Sequence, residues 1–187
     1  MEIRSALIVG VGTGLSASLA RLFSAVEAAI GAPDVVVYNA SARARGPVAE
    51  LVPAEVERAI MVSAFGGFLV AREAASRMVR KAHGAILFTG ASASVKGYPL
   101  SAPFAMGKFA LRGLAQSMAR ELAPQGIHIA HFVIDGAIRN PGRVEPPDRP
   151  DSMLDPDAIA ASYLGVLRQP RSAWTWEIEL RPWVERF

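Results

Sequence analysis

The chain has 187 residues, 51% of them hydrophobic and 20% charged, a length and balance that predict one folded domain and exclude a disordered or fibrous protein. Its formal net charge is +3, but the Lys and Arg residues are scattered without a dense basic run, so nucleic-acid binding is not predicted. The absence of cysteine excludes disulfides, thiolate metal sites and cysteine nucleophiles.

The N-terminal residues lead straight into a strand-like run and lack the basic and apolar regions of a signal peptide. No uninterrupted apolar run reaches the length of about 18 residues that a membrane span needs. We therefore expect a cytoplasmic protein without membrane contact.

The first half of the chain alternates strand and helix patterns. The apolar run from Ala6 to Val9 predicts a buried strand, and apolar residues at helical spacing from Leu15 to Ile30 predict a helix after it. A second strand is predicted from Asp34 to Tyr38. The next pattern, from about Pro53 to Arg80, predicts one long helix that begins at a proline.

The middle of the chain continues this alternation. The run GAILFTG, residues 84–90, predicts a third strand, and the stretch from Ala102 to Ala123 predicts a helix that ends before Pro124. The apolar run from Ile127 to Ile134 predicts a fourth strand.

The C-terminal part begins with a proline-rich segment. Residues 140–150 hold four prolines and predict an exposed loop. Asp155 is a predicted cap for a helix from Pro156 to about Arg168, and WTWEIEL predicts a last strand. The whole pattern predicts an α/β fold, a doubly wound parallel sheet with helices on both faces.

Three glycines lie where the first predicted strand meets the first predicted helix. Gly10, Gly12 and Gly14 stand where glycines let backbone amides approach a pyrophosphate at a helix N-terminus. A tight turn without a ligand explains the same residues, so this motif alone leaves both interpretations open.

The glycine turn is followed, in order and at fitting spacing, by VVVYNAS, GFLVAREAA, GAILFTGASASVKGYPLSAPFAMGKFALRGLAQSMARELAPQGIHIA and VIDGAIR. Together these segments resemble the short-chain dehydrogenase/reductase family over nearly the entire chain. The resemblance implies a Rossmann-like three-layer α/β/α fold. It also implies an oxidoreductase that uses NAD or NADP on a small carbonyl or alcohol substrate, and a homo-oligomer, a dimer or tetramer.

The resemblance also implies a set of cofactor contacts. The implied cofactor-binding residues are Gly10, Gly12, Thr13, Gly14, Leu15, Asn39, Ala40, Ser41, Lys108 and Ile138. The motifs depart from the family at several points, since Val9 replaces a Thr, Ser16 and Ser41 each replace a Gly, and Asp135 replaces a Pro. A plain turn at a strand end explains Asn39 equally well, and a solvated helix lysine explains Lys108.

The implied catalytic pair departs most from the family. The Tyr-x-x-x-Lys pair of the family, stacked on one helix face, falls here on Phe104 and Lys108. A phenyl ring has no proton to exchange, so Phe104 cannot perform the acid–base step that the family assigns to Tyr. Lys108 is the only catalytic group retained.

The hydroxyl groups around this pair are also altered. The serine of the family falls on Ala91, with Ser92 one residue later, and Ser63 stands where the family often has an Asn. Ser92 and Tyr98 are therefore candidate replacement hydroxyls, and an ordered water is a third alternative. His128 and His131 are three apart on a strand and should face opposite sides, so no metal site is predicted.

One structural unit of the family is missing. In the family, a second and third strand shape the adenosine pocket and carry the residue that selects NAD or NADP. In this sequence the start of the family's first helix is joined to the end of its third helix near Phe23 and Ser24. Either a true deletion or residues left out at this joint would explain the gap. We expect the fused helix to pack where the third helix of the family lies, which leaves the first strand at a sheet edge and exposes apolar surface on the other face of the sheet unless something covers it.

Three functions remain open at this stage. The first is an NAD(P)-dependent oxidoreductase in which a substitute hydroxyl or a water replaces the Tyr. The second is a non-catalytic relative that binds a nucleotide or a partner. The third is an oligomerising domain, in which small residues let long helices pack closely: Ala64, Gly66, Gly67, Gly107 and Gly113. We adopt the first as the prediction, with the substrate and the choice between NAD and NADP unassigned.

Overall fold

The computed structural model describes residues 3–10 and 33–185. Its strands are β1 (Ala6–Val9), β2 (Val35–Tyr38), β3 (Gly84–Thr89), β4 (Ile127–Ile134) and β5 (Glu177–Leu180). They form one five-stranded sheet in the order β1-β2-β3-β4-β5, and every pairing is parallel. The predicted parallel α/β sheet is therefore confirmed. The helix predicted from Leu15 to Ile30, and with it the joint near Phe23, lies outside the described residues.

The helices of the described residues match the helical patterns of the sequence. They are α1 (Pro53–Ile60), α2 (Gly66–Met78), α3 (Ala102–Leu122) and α4 (Pro156–Leu167). A π-helical segment, Met61–Phe65, joins α1 to α2, and a 3-10 turn, Val79–Lys81, extends α2. Helical structure is thus continuous from Pro53 to Lys81, as the sequence predicts. Asp155 caps α4 by accepting a hydrogen bond from the backbone N–H of Asp157 at 2.7 Å.

Each central strand contributes to two cores, one on each face of the sheet. Val35 and Val37 of β2 pack in the core that α4 covers, whereas Val36 and Tyr38 pack in the core that α2 and α3 cover. Strands buried on both faces are mostly apolar along their whole length, which is why β2 to β4 are nearly continuous apolar runs, interrupted only by Thr89, His128 and His131. The layers are therefore helix, sheet and helix.

The first strand lies at the edge of the sheet, as predicted. In the described residues β1 pairs only with β2, and 48% of Leu7 is exposed. Leu7 and Val36 line an open apolar groove of about 450 Å³ together with Leu69 and Val70 of α2. The predicted exposure of apolar surface on the face opposite the fused helix depends on the helix from Leu15 to Ile30, which lies outside the described residues, so it stays a prediction.

One helical stretch of the described residues, Pro53–Lys81, is long and apolar enough to cross a membrane by length and composition. A helix that packs on a sheet passes the same test, and this one contributes Ala59, Ala71 and Met78 to the buried core. A cytoplasmic location, the absence of membrane and nucleic-acid contact, and the single-domain organisation stay predictions.

Candidate functional site

A pocket of about 320 Å³ opens at the carboxyl ends of the strands. Loops that follow parallel strands meet at this edge, which is where open α/β sheets bind ligands. Six residues predicted from the sequence line it: Gly10, Asn39, Ser41, Phe104, Lys108 and Ile138. Residues more than 120 positions apart in the chain therefore meet at one site. Gly12, Thr13, Gly14 and Leu15 lie outside the described residues.

Gly10 is held tightly against the loop that follows β2. Its φ is +87°, and a Cβ at this position would come within 2.6 Å of the backbone nitrogen of Ala40. Asn39 donates its backbone N–H to Val9 at 2.9 Å and its side-chain Nδ2 to the carbonyl of Gly10 at 3.4 Å. Glycine is therefore required here both by the backbone conformation and by the close approach of Ala40.

Lys108 lies at the floor of the pocket. It projects from α3, is 3% exposed, and donates a hydrogen bond from Nζ to the carbonyl of Thr89 at 2.7 Å. Burial, together with a smaller contribution from the nearby charge of Arg43, lowers the pKa of Lys108 to about 8. An ammonium with a pKa near 8 exchanges its proton within the physiological pH range.

Phe104 lies one helical turn before Lys108 and is almost fully buried. The Nζ of Lys108 is 5.9 Å from the centre of the Phe104 ring, and the guanidinium carbon of Arg43 is 3.9 Å from the same centre. Two cations thus lie within cation–π distance of a ring that bears no hydroxyl.

The candidate replacement hydroxyls lie in the loop after β3. Ser92 begins the 3-10 turn Ser92–Ser94 and is not among the residues that line the pocket. Tyr98 is 43% exposed and also does not line the pocket. Ser94 of the same turn is buried, and its hydroxyl accepts a hydrogen bond from the backbone N–H of Ala91 at 3.1 Å. The predicted catalytic role of Ser92 stays a prediction.

Ser63 occupies the π-helical segment behind the pocket. It is fully buried, and its Oγ accepts a hydrogen bond from the backbone N–H of Ala42 at 3.2 Å. Tyr38 donates its hydroxyl to the carbonyl of Val62 in the same segment. These contacts fasten the widened turn of the helix to the loop after β2, and that loop also carries Ser41 and Arg43.

The two strand histidines face opposite sides of the sheet, as predicted. His128 stacks on Trp174 with ring centres 4.6 Å apart, whereas the Nδ1 of His131 is 3.0 Å from Oε2 of Glu177 on the α3 side. Their side chains therefore cannot ligate one ion.

Sequence reasoning missed several residues of the site. The pocket is also lined by Arg43, Thr89, Gly90, Asn140 and Arg143. Arg43 and Arg143 lie in loops that follow the predicted strand ends at Tyr38 and Ile134. Their position after buried parallel strands is the signal that would have identified them.

Comparisons with known proteins agree with this architecture. A match to the family described as short chain dehydrogenase covers residues 4–142. The chain is 30% identical over 125 residues to the L-2,3-butanediol dehydrogenase of Corynebacterium glutamicum, a match that covers 66% of this chain and 48% of that protein.

Solved structures give the same result. The crystal structure of a short-chain dehydrogenase from Rhodopseudomonas palustris is 36% identical with a TM-score of 0.69, covering 88% of this chain and 69% of that one. The fold is also similar to that of ElxO, in a Tyr-to-Phe variant with NADPH bound, at a TM-score of 0.83 and 17% identity over 95% of this chain and 96% of that one.

The chain spans about half the length of the curated relatives it matches. The family match nevertheless extends from before β1 to beyond β4, and it contains Gly10, Asn39, Phe104 and Lys108. The chain therefore belongs to the short-chain dehydrogenase family.

Proposed function

We propose that the chain is an oxidoreductase that uses NAD or NADP to interconvert a small carbonyl compound and its alcohol. The observation that carries this proposal is the buried Lys108, which lies in one pocket with the tight Gly10 turn at the carboxyl ends of the strands. A pocket of about 320 Å³ is within the range of about 300–1,000 Å³ that small-molecule sites occupy.

The residues present fit a nicotinamide nucleotide. Gly10 carries no side chain and lines the pocket together with Asn39 and Ser41, so a ligand at this turn would meet backbone and small polar groups. We propose that Gly10, Asn39, Ala40, Ser41, Lys108 and Ile138 hold the cofactor, together with Gly12, Thr13, Gly14 and Leu15. A fold neighbour, the Tyr-to-Phe variant of ElxO, has NADPH bound, which supports a nicotinamide nucleotide as the cofactor.

When bound, a nicotinamide nucleotide supplies or accepts the hydride of a carbonyl–alcohol interconversion. The protein must then manage the proton on the substrate oxygen. Phe104 cannot do so, whereas Lys108 has three N–H donors of which the carbonyl of Thr89 occupies one. We propose that Lys108 donates a proton to the carbonyl oxygen and, once neutral, is protonated again by solvent. Its pKa of about 8 suits both steps.

A fluorescence titration of NADH and NADPH tests the cofactor proposal. The wild-type chain should bind at least one of them. Lys108→Met should weaken that affinity by about tenfold because a charged hydrogen bond to the ligand is lost. Lys81→Met is the matched control, since Lys81 is exposed on the turn after α2. Absence of binding of either nucleotide would contradict the proposal.

A second function, nucleotide binding without catalysis, is favoured by the buried phenyl ring at position 104. Turnover separates the two functions. Phe104→Tyr should raise the rate of carbonyl-dependent NADH or NADPH oxidation by about a hundredfold, because it adds an acid–base group beside Lys108. Phe109→Tyr, on the exposed side of α3, is the matched control and should leave this rate unchanged. Intact cofactor binding with no turnover in either the wild type or Phe104→Tyr would favour the non-catalytic function.

We also propose that the chain forms a homo-oligomer through the outer face of its helices. Large apolar side chains are exposed there: Met61, Phe65, Phe68, Leu69, Met106 and Phe109. Met61 of the π-helical segment and Met106 of α3 line one groove, so the exposed apolar side chains of these two segments form one continuous surface. An apolar surface of this kind is typical of a protein interface.

A further inference from the structure

The charges that line the pocket are all of one sign. Arg43, Lys108 and Arg143 line it, and no Asp or Glu of the described residues does. Three carboxylates near Arg143 in the chain already have partners: Asp135 is 3.2 Å from the Nζ of Lys96, Asp155 pairs with Arg139, and Glu145 accepts a hydrogen bond from the backbone N–H of Met153 at 3.0 Å. The pocket therefore has an excess of positive charge that the described part of the chain does not neutralise.

Arg43 is held in place by an apolar contact. Its guanidinium lies over the face of Phe104, with the guanidinium carbon 3.9 Å from the ring centre. Stacking fixes the plane of the guanidinium and leaves its N–H groups, which lie in that plane, available to a ligand. Among the described residues, no carboxylate forms an ion pair with Arg43. Burial and the charges of Arg143 and Arg45 lower the pKa of Arg43, so an anion at this position would be stabilised.

Arg143 is presented by a tight turn. The backbone groups of Asn140 and Arg143 bond to each other in both directions, at 3.1 Å and 2.9 Å. The side chain of Asn140 accepts a further hydrogen bond from the backbone of Gly142 at 2.9 Å. The turn Asn140–Arg143 is thus a fixed unit within the proline-rich loop, and it places a second guanidinium at the same pocket.

We propose that Arg43 and Arg143 together bind a carboxylate of the substrate, so that the chain acts on an oxo acid or hydroxy acid rather than on a neutral ketone or alcohol. Two guanidinium groups are suited to this ligand because each presents paired N–H donors that match two carboxylate oxygens. That the chain converts such an acid rests on the proposed function. That the two arginines bind its carboxylate does not.

The alternative source of negative charge is a phosphate of the cofactor. The geometry favours the substrate. Gly10, where the glycine turn begins, approaches Ala40, whereas Arg43 lies over Phe104 on the helix that carries Lys108. The arginine thus stands beside the proposed proton donor, where the reacting carbonyl must lie.

The test is titration calorimetry on the full chain with short 2-oxo and 3-oxo acids and the methyl ester of each, in the absence and presence of NADPH. At least one acid should bind about tenfold more tightly than its ester. Arg43→Met, which keeps the apolar contact with Phe104, and Arg143→Ala should each abolish that difference. Arg45→Met is the control, because Arg45 is close to Arg43 but does not line the pocket.

Two results would overturn the inference. One is that no acid binds more tightly than its ester. The other is that Arg43→Met and Arg143→Ala weaken the binding of NADH, NADPH or inorganic phosphate but leave the ratio of the acid's affinity to the ester's affinity unchanged. That result would assign the two arginines to a phosphate of the cofactor. A failure of the proposed function gives a different result, namely that neither NADH nor NADPH binds. The titrations of acid and ester without nucleotide still show whether the arginines bind a carboxylate.

Discussion

His131 lies fully buried under α3 and is linked to two other elements through one carboxylate. Glu177 of β5 accepts hydrogen bonds from Arg112 of α3 at 2.6 Å and 2.7 Å, and Nδ1 of His131 is 3.0 Å from Oε2. Burial raises the pKa of Glu177, but the hydrogen bonds and charge of Arg112 outweigh it and keep that pKa below its ordinary value. Because Glu177 is then an anion that only accepts, Nδ1 of His131 carries the proton.

This arrangement predicts a loss of stability in mild acid. Burial lowers the pKa of His131 from 6.5 to about 4, despite the opposing charge of Glu177. Above pH 6.5 the imidazole is neutral in both the folded and the unfolded chain. As the pH falls from 6.5 to 4, only the unfolded chain binds the proton. The free energy of unfolding should therefore decrease over this interval by up to about 3 kcal/mol.

Urea unfolding measured at pH 8 and at pH 4.5 checks this effect. His131→Gln retains a donor for Glu177 but does not titrate, so the decrease between the two pH values should be smaller than in the wild type. An equal decrease in both proteins would show that His131 is not responsible. The sequence could not predict this network, because it does not show that His131 and Glu177, 46 residues apart, lie opposite each other on neighbouring strands, with Arg112 of α3 bonded to the same carboxylate.

At the scale of elements, the close packing of α3 on the π-helical segment depends on one glycine. A Cβ at Gly107 would lie 2.8 Å from the Cβ of Ser63, closer than two carbons can approach. Gly107→Ala should therefore destabilise the chain by about 1–3 kcal/mol, since the clash exceeds the gain in helix propensity. Gly113, on the exposed side of the same helix, has no atom within 4 Å of such a Cβ. Gly113→Ala should stabilise the chain by about 0.5–1 kcal/mol.

Thermal or urea unfolding of the two variants compares the same substitution in one helix. If both variants were less stable than the wild type, the loss at Gly107 could not be assigned to the clash with Ser63, and the prediction would be contradicted. If Gly107→Ala were neutral, Ser63 would be free to move, and the segment would be less firmly held than its contacts with Ala42 indicate.

The same region shows where sequence reasoning ends. Apolar spacing predicts helical structure from Pro53 to about Arg80, and the structure confirms it. The π-helical segment Met61–Phe65 is not predictable in this way, because it is held by partners in the loop after β2. Tyr38 bonds to the carbonyl of Val62, and Ser63 bonds to Ala42. Local propensity carries no information about contacts made by a loop more than 20 residues earlier.

The same limit applies to the candidate site. Glycines and the Phe104–Lys108 pair have a recognisable spacing, so they could be identified from the sequence. Arg43 and Arg143 stand in loops where arginine is ordinary, and only the parallel order of the strands brings them together.

At the scale of the whole molecule, the exposed apolar face of the π-helical segment, α2 and α3 predicts self-association. Phe65 and Phe68 stack with ring centres 5.9 Å apart, and both are more than 40% exposed. Light scattering after gel filtration should give a mass of two or four chains. Phe68→Asp combined with Phe109→Asp should shift that mass toward one chain, because two buried charges without partners would be introduced into the interface.

Val144→Asp is the matched control, since Val144 is 80% exposed on the proline-rich loop and lies away from this face. The same mass in the double variant as in the wild type would exclude this face, and the edge strand β1, where 48% of Leu7 is exposed, would become the next interface to test. A wild-type mass of one chain would contradict self-association altogether. In that case the apolar stretch Pro53–Lys81 would fit a different partner, because an exposed apolar patch of this kind marks a binding surface or an aggregation-prone one.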